Sequence, residues 1–157
     1  MIKVLFVCLG NICRSPMAEA VFQEQVRQAG LDNAIEIDSA GTGSWHIGET
    51  AHPGTLDVLR RQGIAYNGRA RQIRRSDLEQ YDYVLTMDRS NLHDVRRMAG
   101  DSRAEIRLFL SYAHEAGLVT EEQVPDPYYD DRFDYVYNLV SKGSQALLAH
   151  IRARHQL

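Results

Sequence analysis

The sequence has little of what marks a secreted or membrane-bound protein. Only two of its 157 residues are cysteine and only four are proline. A secreted disulfide scaffold would spread more cysteines along the chain, and no apolar run approaches the roughly 20 residues that cross a bilayer. Because the chain enters an apolar run at Ile2, we expect no signal peptide and a reducing, cytoplasmic location.

A strong excess of charge of either sign is also missing. The chain has 21 acidic and 18 basic residues, which gives a formal net charge of −3. A protein that binds nucleic acid or an anionic membrane would carry a basic excess, so we expect neither partner. The six histidines show no metal-ligand spacing, and we expect no metal and no cofactor. The length suits one domain, residues 1–157, with its own core.

Apolar runs typical of buried strands alternate with segments of helical periodicity. The predicted strands cover residues 2–7, 35–39, 83–87 and 106–109. The predicted helices cover 17–29, 55–62, one turn at 76–80, a segment ending at 98, one turn near His114, and 133–151. Ser15 and Pro16 are the predicted cap and first residue of the first helix, and Asp88 or Ser90 is the predicted cap of the fourth. This alternation predicts an α/β fold with a parallel sheet and helices on both faces.

The stretch that joins the first strand to the first helix carries the strongest signal. It reads Cys8-Leu9-Gly10-Asn11-Ile12-Cys13-Arg14-Ser15-Pro16. Short residues that include a glycine allow amide N–H groups to turn inward and hold an anion, which the following helix N-terminus also favours. A cysteine at the base of such a ring is expected to be a thiolate near neutral pH and to attack a bound phosphate. The planar Arg14 guanidinium can hold two phosphoryl oxygens.

From Val7 to Pro16 the sequence resembles the V-C-x-G-N-x-C-R-S-P signature of the low-molecular-weight protein tyrosine phosphatases. The resemblance extends over nearly the whole chain and is weakest from 50 to 68. It implies a flavodoxin-like, four-stranded parallel sheet ordered 2-1-3-4 and hydrolysis of phosphotyrosine through a cysteinyl-phosphate. The implied roles are Cys8 as nucleophile, Arg14 as clamp, Asn11 as an internal brace of the loop and Ser15 as a hydrogen-bond partner of the thiolate. The predicted phosphate cradle comprises Leu9, Gly10, Asn11, Ile12, Cys13 and Ser15.

An acid for the leaving oxygen must come from another segment, and Asp126 is the candidate. Pro127 holds the preceding residue extended, and Tyr128 and Tyr129 offer aromatic walls for a phenyl ring. The family carries its general acid in a similar Asp-Pro-Tyr-Tyr segment near the C-terminus. Because a neighbouring phosphate and thiolate favour the protonated carboxyl, Asp126 is expected to protonate the leaving phenolate and then to deprotonate water.

Three further positions complete the comparison with the family. Trp45 stands where relatives place an aromatic on the pocket rim, although the residue alone is as compatible with the core. Asp88 matches a supporting position near the loop. Gly68 departs from the pattern, because many relatives carry a histidine there that supports the active-site serine. The basic residues Arg69, Arg71, Arg74 and Arg75 are predicted to form a solvated face.

Three alternatives to a tyrosine phosphatase share part of this pattern. An arsenate reductase of the same fold needs cysteines remote from the loop, and this chain has none beyond Cys13. Protein-arginine phosphatases carry threonine where this chain has Ile12. A phosphate-binding module without activity would not need a cysteine, an arginine and an acid together. The expected partner is a phosphotyrosine-containing protein, including a tyrosine kinase of the bacterial type.

Overall fold

A four-stranded parallel sheet organises the fold. A computed structural model describes residues 1–157. Its strands are β1 (Ile2–Cys8), β2 (Ile35–Gly41), β3 (Tyr83–Thr86) and β4 (Glu105–Leu108). Its helices are α1 (Arg14–Gln28), α2 (Pro53–Arg61), α3 (Asp77–Gln80), α4 (Arg89–Ala99), α5 (Ser111–Glu115) and α6 (Phe133–His155).

The strand order is β2-β1-β3-β4, which confirms the predicted order 2-1-3-4. In the register, Cys8 at the end of β1 lies beside Gly41 at the end of β2, and Val7 lies beside Thr86 at the end of β3. The carboxyl ends of the central strands therefore meet at one edge of the sheet. This is where open parallel sheets bind their ligands.

Each face of the sheet buries its own apolar cluster. Val4 and Phe6 of β1 pack into the larger cluster with α1, α5 and α6, where the Phe6 ring contacts Phe22 and Phe109 edge to face. Leu5 and Val7 point to the opposite face and join a smaller cluster that includes residues of α3 and α4. Because β1 is covered on both sides, its sequence is a nearly continuous apolar run.

The start of α1 corrects one prediction. The helix begins at Arg14 with Cys13 at the N-cap position, so Ser15 is not the cap and Pro16 is the third helical residue. The reason is that Asn11 adopts a left-handed conformation, with φ of 57°, which closes the loop early. Pro16 is tolerated because the amides of a first helical turn have no partner within the helix. The Ser15 hydroxyl is occupied by contacts inside the loop.

At α4 the structure selects Asp88 over Ser90 as the cap. Asp88 Oδ1 accepts a hydrogen bond from Asn91 N at 2.8 Å, and the Asn91 side chain accepts one from Asp88 N in return. The C-terminal helix extends to His155, four residues past its predicted end, and α5 confirms the helical turn near His114. No helix has the combination of length and apolar composition needed to cross a membrane.

Candidate active site

The loop of residues 9–13 joins β1 to α1 and folds around the Cys8 sulfur. Asn11 N donates to Cys8 Sγ at 3.3 Å, and Ser15 Oγ lies 3.0 Å from the same sulfur. The loop rests on the end of β2 and on the residues that follow it, where Gly43 N donates to Leu9 O at 2.9 Å. A Cβ atom at Gly41 would lie 2.7 Å from that carbonyl oxygen, so only glycine allows this approach.

The direction of the hydrogen bonds identifies Ser15 as a donor to Cys8. The Asn11 side-chain amide donates to Ser15 Oγ at 2.8 Å, so the serine oxygen is an acceptor in that contact. Its own hydrogen can then go to Cys8 Sγ at 3.0 Å or to Ala40 O at 3.5 Å, and the shorter contact is the sulfur. A hydroxyl and a backbone amide are therefore both aimed at the Cys8 sulfur. The side chains of Asn11 and Ser15 are buried under the loop rather than in the pocket wall.

Arg14 is buried, and a carboxylate faces each of its two amino groups: Asp88 lies close to Nη1, and Asp126 lies farther from Nη2. Its Nη1 donates to Asp88 Oδ2 at 2.7 Å and to Val124 O at 3.0 Å, whereas Nε is buried without a partner in the protein. Burial alone would lower the pKa of this guanidinium, but the Cys8 sulfur, Asp88 and Asp126 together raise it above its ordinary value. Arg14 is therefore a fixed cation whose Nε edge is available to an anion.

Asp126 reaches the same pocket from the loop of residues 116–132 that joins α5 to α6. Its Oδ2 lies 3.5 Å from Arg14 Nη2, and its Oδ1 accepts from Tyr128 N at 3.1 Å. Val124 ties this loop to the core, because its N–H donates to Met87 O at 2.8 Å while its carbonyl accepts from Arg14. The structure thus brings together the three residues that the sequence predicts to be catalytic.

A pocket of about 280 Å³ opens above Cys8. Its walls contain Leu9, Gly10, Ile12 and Cys13 of the loop, together with Trp45, His46, Tyr128 and Tyr129. The three aromatic side chains are 69%, 51% and 78% exposed, for Trp45, Tyr128 and Tyr129 respectively. Trp45 therefore belongs to the rim and not to the core. A flat ring could enter between these walls with its phosphate toward Cys8.

Cys13 is the second thiol of the loop, and its environment differs from that of Cys8. The pKa of the Cys13 thiol is raised to about 12, mainly by burial and then by the charges of Asp126 and Cys8. The Arg14 guanidinium lowers this pKa, but by less. Both cysteines are free thiols. Cys13 is consequently protonated at neutral pH and is not a second nucleophile there.

Arg71 corrects the prediction that the basic segment is only a solvated face. Its guanidinium pairs with Asp77 at 2.9 Å and with Asp38 at 3.1 Å. Its backbone N–H donates to Asn11 Oδ1 at 3.0 Å, so the segment holds the loop in place. A count of basic residues could not reveal this, because Asp38 and Asn11 lie far from Arg71 in sequence. Arg69, Arg74 and Arg75 are exposed as predicted.

Sequence reasoning missed four residues at or beneath the site. His46 lines the pocket and pairs with Glu49, whose carboxylate lies 3.1 Å from Nδ1. Its position directly after Trp45 was the only available signal. Glu19, Ser39 and Tyr66 form a hydrogen-bonded group below Asn11. They come from three separate segments, and no spacing links them.

The fold and the loop define a class of α/β protein that can bind a phosphoryl group between a strand end and a helix N-terminus, over a cysteine. Within that class, residues 3–157 match the family model described as low molecular weight phosphotyrosine protein phosphatase. The chain belongs to this family.

Individual relatives support the assignment over the full length. The chain is 47% identical over 159 positions, covering 100% of both chains, to the low molecular weight protein-tyrosine-phosphatase YfkJ of Bacillus subtilis. The crystal structure of YfkJ superposes with a TM-score of 0.93 at 46% identity, covering 98% of this chain and 96% of that one. A low molecular weight phosphotyrosine protein phosphatase of Schizosaccharomyces pombe is 46% identical, over 96% of this chain and 97% of its own. The crystal structure of DARP, a Drosophila arginine phosphatase, has a TM-score of 0.89 at 33% identity, covering 96% of this chain and 98% of that one.

Proposed function

We propose that this protein hydrolyses phosphotyrosine in proteins through a cysteinyl-phosphate intermediate. The observation that carries the proposal is the convergence on one pocket of Cys8, Arg14 and Asp126 beneath an aromatic rim. The names of the relatives support the same activity. The proposed partners are phosphotyrosine-containing proteins, with a tyrosine kinase supplying the modification. The cytoplasmic location and the absence of a cofactor stay predictions.

In the first step the Cys8 thiolate attacks phosphorus, and the bond from phosphorus to the phenolic oxygen breaks. Asp126 gives its proton to the departing oxygen, so tyrosine leaves neutral. Loop amides and the Arg14 guanidinium hold the three equatorial oxygens, which carry the charge in the transition state. In the second step Asp126 takes a proton from water as that water attacks the cysteinyl-phosphate. Inorganic phosphate leaves, and the thiolate and the protonated acid are restored.

Phosphoarginine is the second candidate substrate, because a solved arginine phosphatase shares the fold at 33% identity. The residue that favours phosphotyrosine is Ile12, which lines the pocket and is almost fully buried. Its β-branched side chain narrows the pocket over the loop and offers an apolar surface to an aromatic ring. The guanidinium of phosphoarginine would find no acceptor on that side chain.

The decisive experiment compares kcat/KM on phosphotyrosine, phosphoserine and phosphoarginine peptides of one sequence. We expect phosphotyrosine to be preferred by the wild-type protein, and Ile12→Thr to move the preference toward phosphoarginine. Cys8→Ser should abolish turnover while retaining the binding of inorganic phosphate, since the amide cradle remains. Faster turnover of phosphoarginine by the wild type would refute the substrate class, and near-normal turnover by Cys8→Ser would refute the mechanism.

A further inference from the structure

The orientation of the Asn11 side chain is fixed from three sides. Its Oδ1 accepts a hydrogen bond from the backbone N–H of Arg71 at 3.0 Å. Because an N–H group can only donate, this contact fixes which side of the Asn11 amide is the oxygen. Its Nδ2 therefore faces two serines, donating to Ser15 Oγ at 2.8 Å and to Ser39 Oγ at 3.0 Å. Asn11 is 2% exposed, so water does not compete for these contacts. Each serine thus accepts from Asn11 and has its own hydrogen left to donate.

The two serine hydrogens go to different acceptors. Ser15 donates to Cys8 Sγ at 3.0 Å, and Ser39 donates to Glu19 Oε1 at 2.5 Å. The Tyr66 hydroxyl donates to the same oxygen of Glu19 at 3.0 Å. Asn11 is therefore the common donor between the nucleophilic sulfur and a carboxylate on α1. The arrangement holds only while Glu19 Oε1 remains an acceptor.

The surroundings of Glu19 shift its carboxyl toward the protonated form. Burial raises the pKa of its carboxyl, the hydrogen bonds from Ser39 and Tyr66 lower it, Asp38 raises it and Arg71 lowers it, with a net rise. Without the Tyr66 hydroxyl, the protonated form of Glu19 would be favoured further. A protonated Glu19 can donate a hydrogen bond to Ser39 Oγ. The Ser39 hydrogen would then turn toward the Asn11 Nδ2 group, where two sets of donor hydrogens would face each other and the hydrogen bond from Asn11 to Ser39 would be lost.

Gly68 is the position that makes room for the Tyr66 hydroxyl. A Cβ atom at residue 68 would lie 2.4 Å from that oxygen. The chain departs from its family pattern at this glycine, and the Tyr66 hydroxyl fills the space that a side chain there would take. The departure at Gly68 and the contact between Tyr66 and Glu19 are thus one structural feature.

We propose that Tyr66 is a positioning residue for Cys8, acting through Glu19, Ser39, Asn11 and Ser15. Its hydroxyl keeps Glu19 an acceptor, which keeps the Asn11 amide directed at Ser15 and the Ser15 hydrogen directed at the sulfur. The proposal rests on the proposed function only in taking Cys8 as the reactive thiolate. The other charged or titratable groups at this loop are Arg14, Cys13, Asp126, His46 and Arg71, which no substitution below alters.

The test is the rate at which iodoacetamide alkylates Cys8 as a function of pH, with tandem mass spectrometry separating Cys8 from Cys13. This measurement needs no turnover. Tyr66→Phe should move the midpoint of the profile upward by roughly 0.5 pH unit, since a hydrogen bond to a carboxylate is worth about 1–2 units and only part of its effect reaches the sulfur through the intervening side chains. Glu19→Gln should move it further in the same direction, and Gly68→Ala, which displaces the hydroxyl, should reproduce Tyr66→Phe. The matched control is Tyr137→Phe, which removes a half-buried hydroxyl on α6 and should leave the midpoint unchanged.

A second arm cuts the path between Tyr66 and Cys8. Ser15→Ala removes the hydroxyl through which the proposed path reaches Cys8. Adding Tyr66→Phe to this variant should therefore produce no further shift of the midpoint. A wild-type midpoint in Tyr66→Phe, whatever its thermal stability, would overturn the proposal. So would an equal shift in the Ser15→Ala background, because the effect would then bypass the serine. If the shifts appear but phosphotyrosine is not hydrolysed, the proposed function fails and the positioning role stands.

Discussion

Asp88 divides two tasks between its two oxygens, and substitutions can separate them. Oδ1 caps α4 by accepting from Asn91 N at 2.8 Å, while Oδ2 accepts from Arg14 Nη1 at 2.7 Å. Serine at position 88 can still cap the helix but cannot reach Arg14 with a charge. Alanine removes both contacts. Asparagine has one oxygen for two donors, so whichever contact it keeps, its amide hydrogens face the other donor.

The expected losses follow from these contacts. A charge-assisted hydrogen bond is worth about 1.5–3 kcal/mol, which corresponds to roughly 10–150-fold in rate if all of it serves to hold Arg14 in place. We expect kcat/KM on a phosphotyrosine peptide to fall by about that factor in Asp88→Ser and Asp88→Ala alike. Stability should distinguish these two variants, because the helix cap contributes about 1 kcal/mol and serine retains it while alanine does not.

Urea unfolding measures the contribution of the helix cap to stability, and steady-state kinetics measure the contribution of the contact between Asp88 and Arg14 to kcat/KM. Asp88→Ala should unfold about 1 kcal/mol more easily than Asp88→Ser, a difference of roughly 2–4 °C in Tm for a chain of this size. The control is Ser90→Ala, which removes a hydroxyl from the first turn of the same helix without touching Arg14. Near wild-type kcat/KM in Asp88→Ser would show that Val124 O and Asp126 are sufficient to hold the guanidinium, and the reasoning would be refuted.

Three other outcomes are expected. Arg14→Lys should lower kcat by at least about 100-fold, because the single charge of an ammonium group cannot reproduce the planar guanidinium. Retention of activity in the same assay would refute the role of Arg14 in holding the phosphoryl oxygens. Asp126→Asn should slow aryl phosphates by about 10²–10⁴, and less so when the leaving group needs no proton; an equal loss for all leaving groups would make Asp126 structural. Peroxide should inactivate the protein through a Cys8–Cys13 disulfide, seen by mass spectrometry without reduction and reversed by dithiothreitol. Because burial raises the pKa of Cys13 to about 12, disulfide formation should accelerate as pH rises, and Cys13→Ser should not recover.

The parts of the site that are contiguous in sequence could be predicted, because local chemistry dictates them. A strand that is buried on both faces must be apolar, and a loop that packs against a neighbouring strand must be built from small residues. The run from Cys8 to Ser15 combines these requirements with a thiol and a guanidinium. The start of α1 could not be placed in the same way, since the left-handed Asn11 that closes the loop early is a tertiary effect.

Residues that act on the loop from a distance left no pattern of their own. Arg71 was interpreted from its basic neighbours, whereas its role depends on Asp38, Asp77 and the Asn11 carbonyl. The contacts with Asp38 and Asn11 join segments that meet only after the sheet has formed, whereas Asp77 belongs to the same segment as Arg71. The ion-pair partners of a charged side chain are defined only in the folded state. The local composition of the sequence therefore does not identify them.

Gly68 shows how a departure from a family pattern can itself carry information. Considered alone, the glycine removes a supporting side chain and puts the role of Ser15 in doubt. In the structure Ser15 keeps its contact with Cys8, and the Tyr66 hydroxyl occupies the space above residue 68. Tyr66, two positions earlier, reaches Glu19 from the same segment. Under the proposed positioning role the Tyr66 hydroxyl is a donor that a comparison made position by position does not detect.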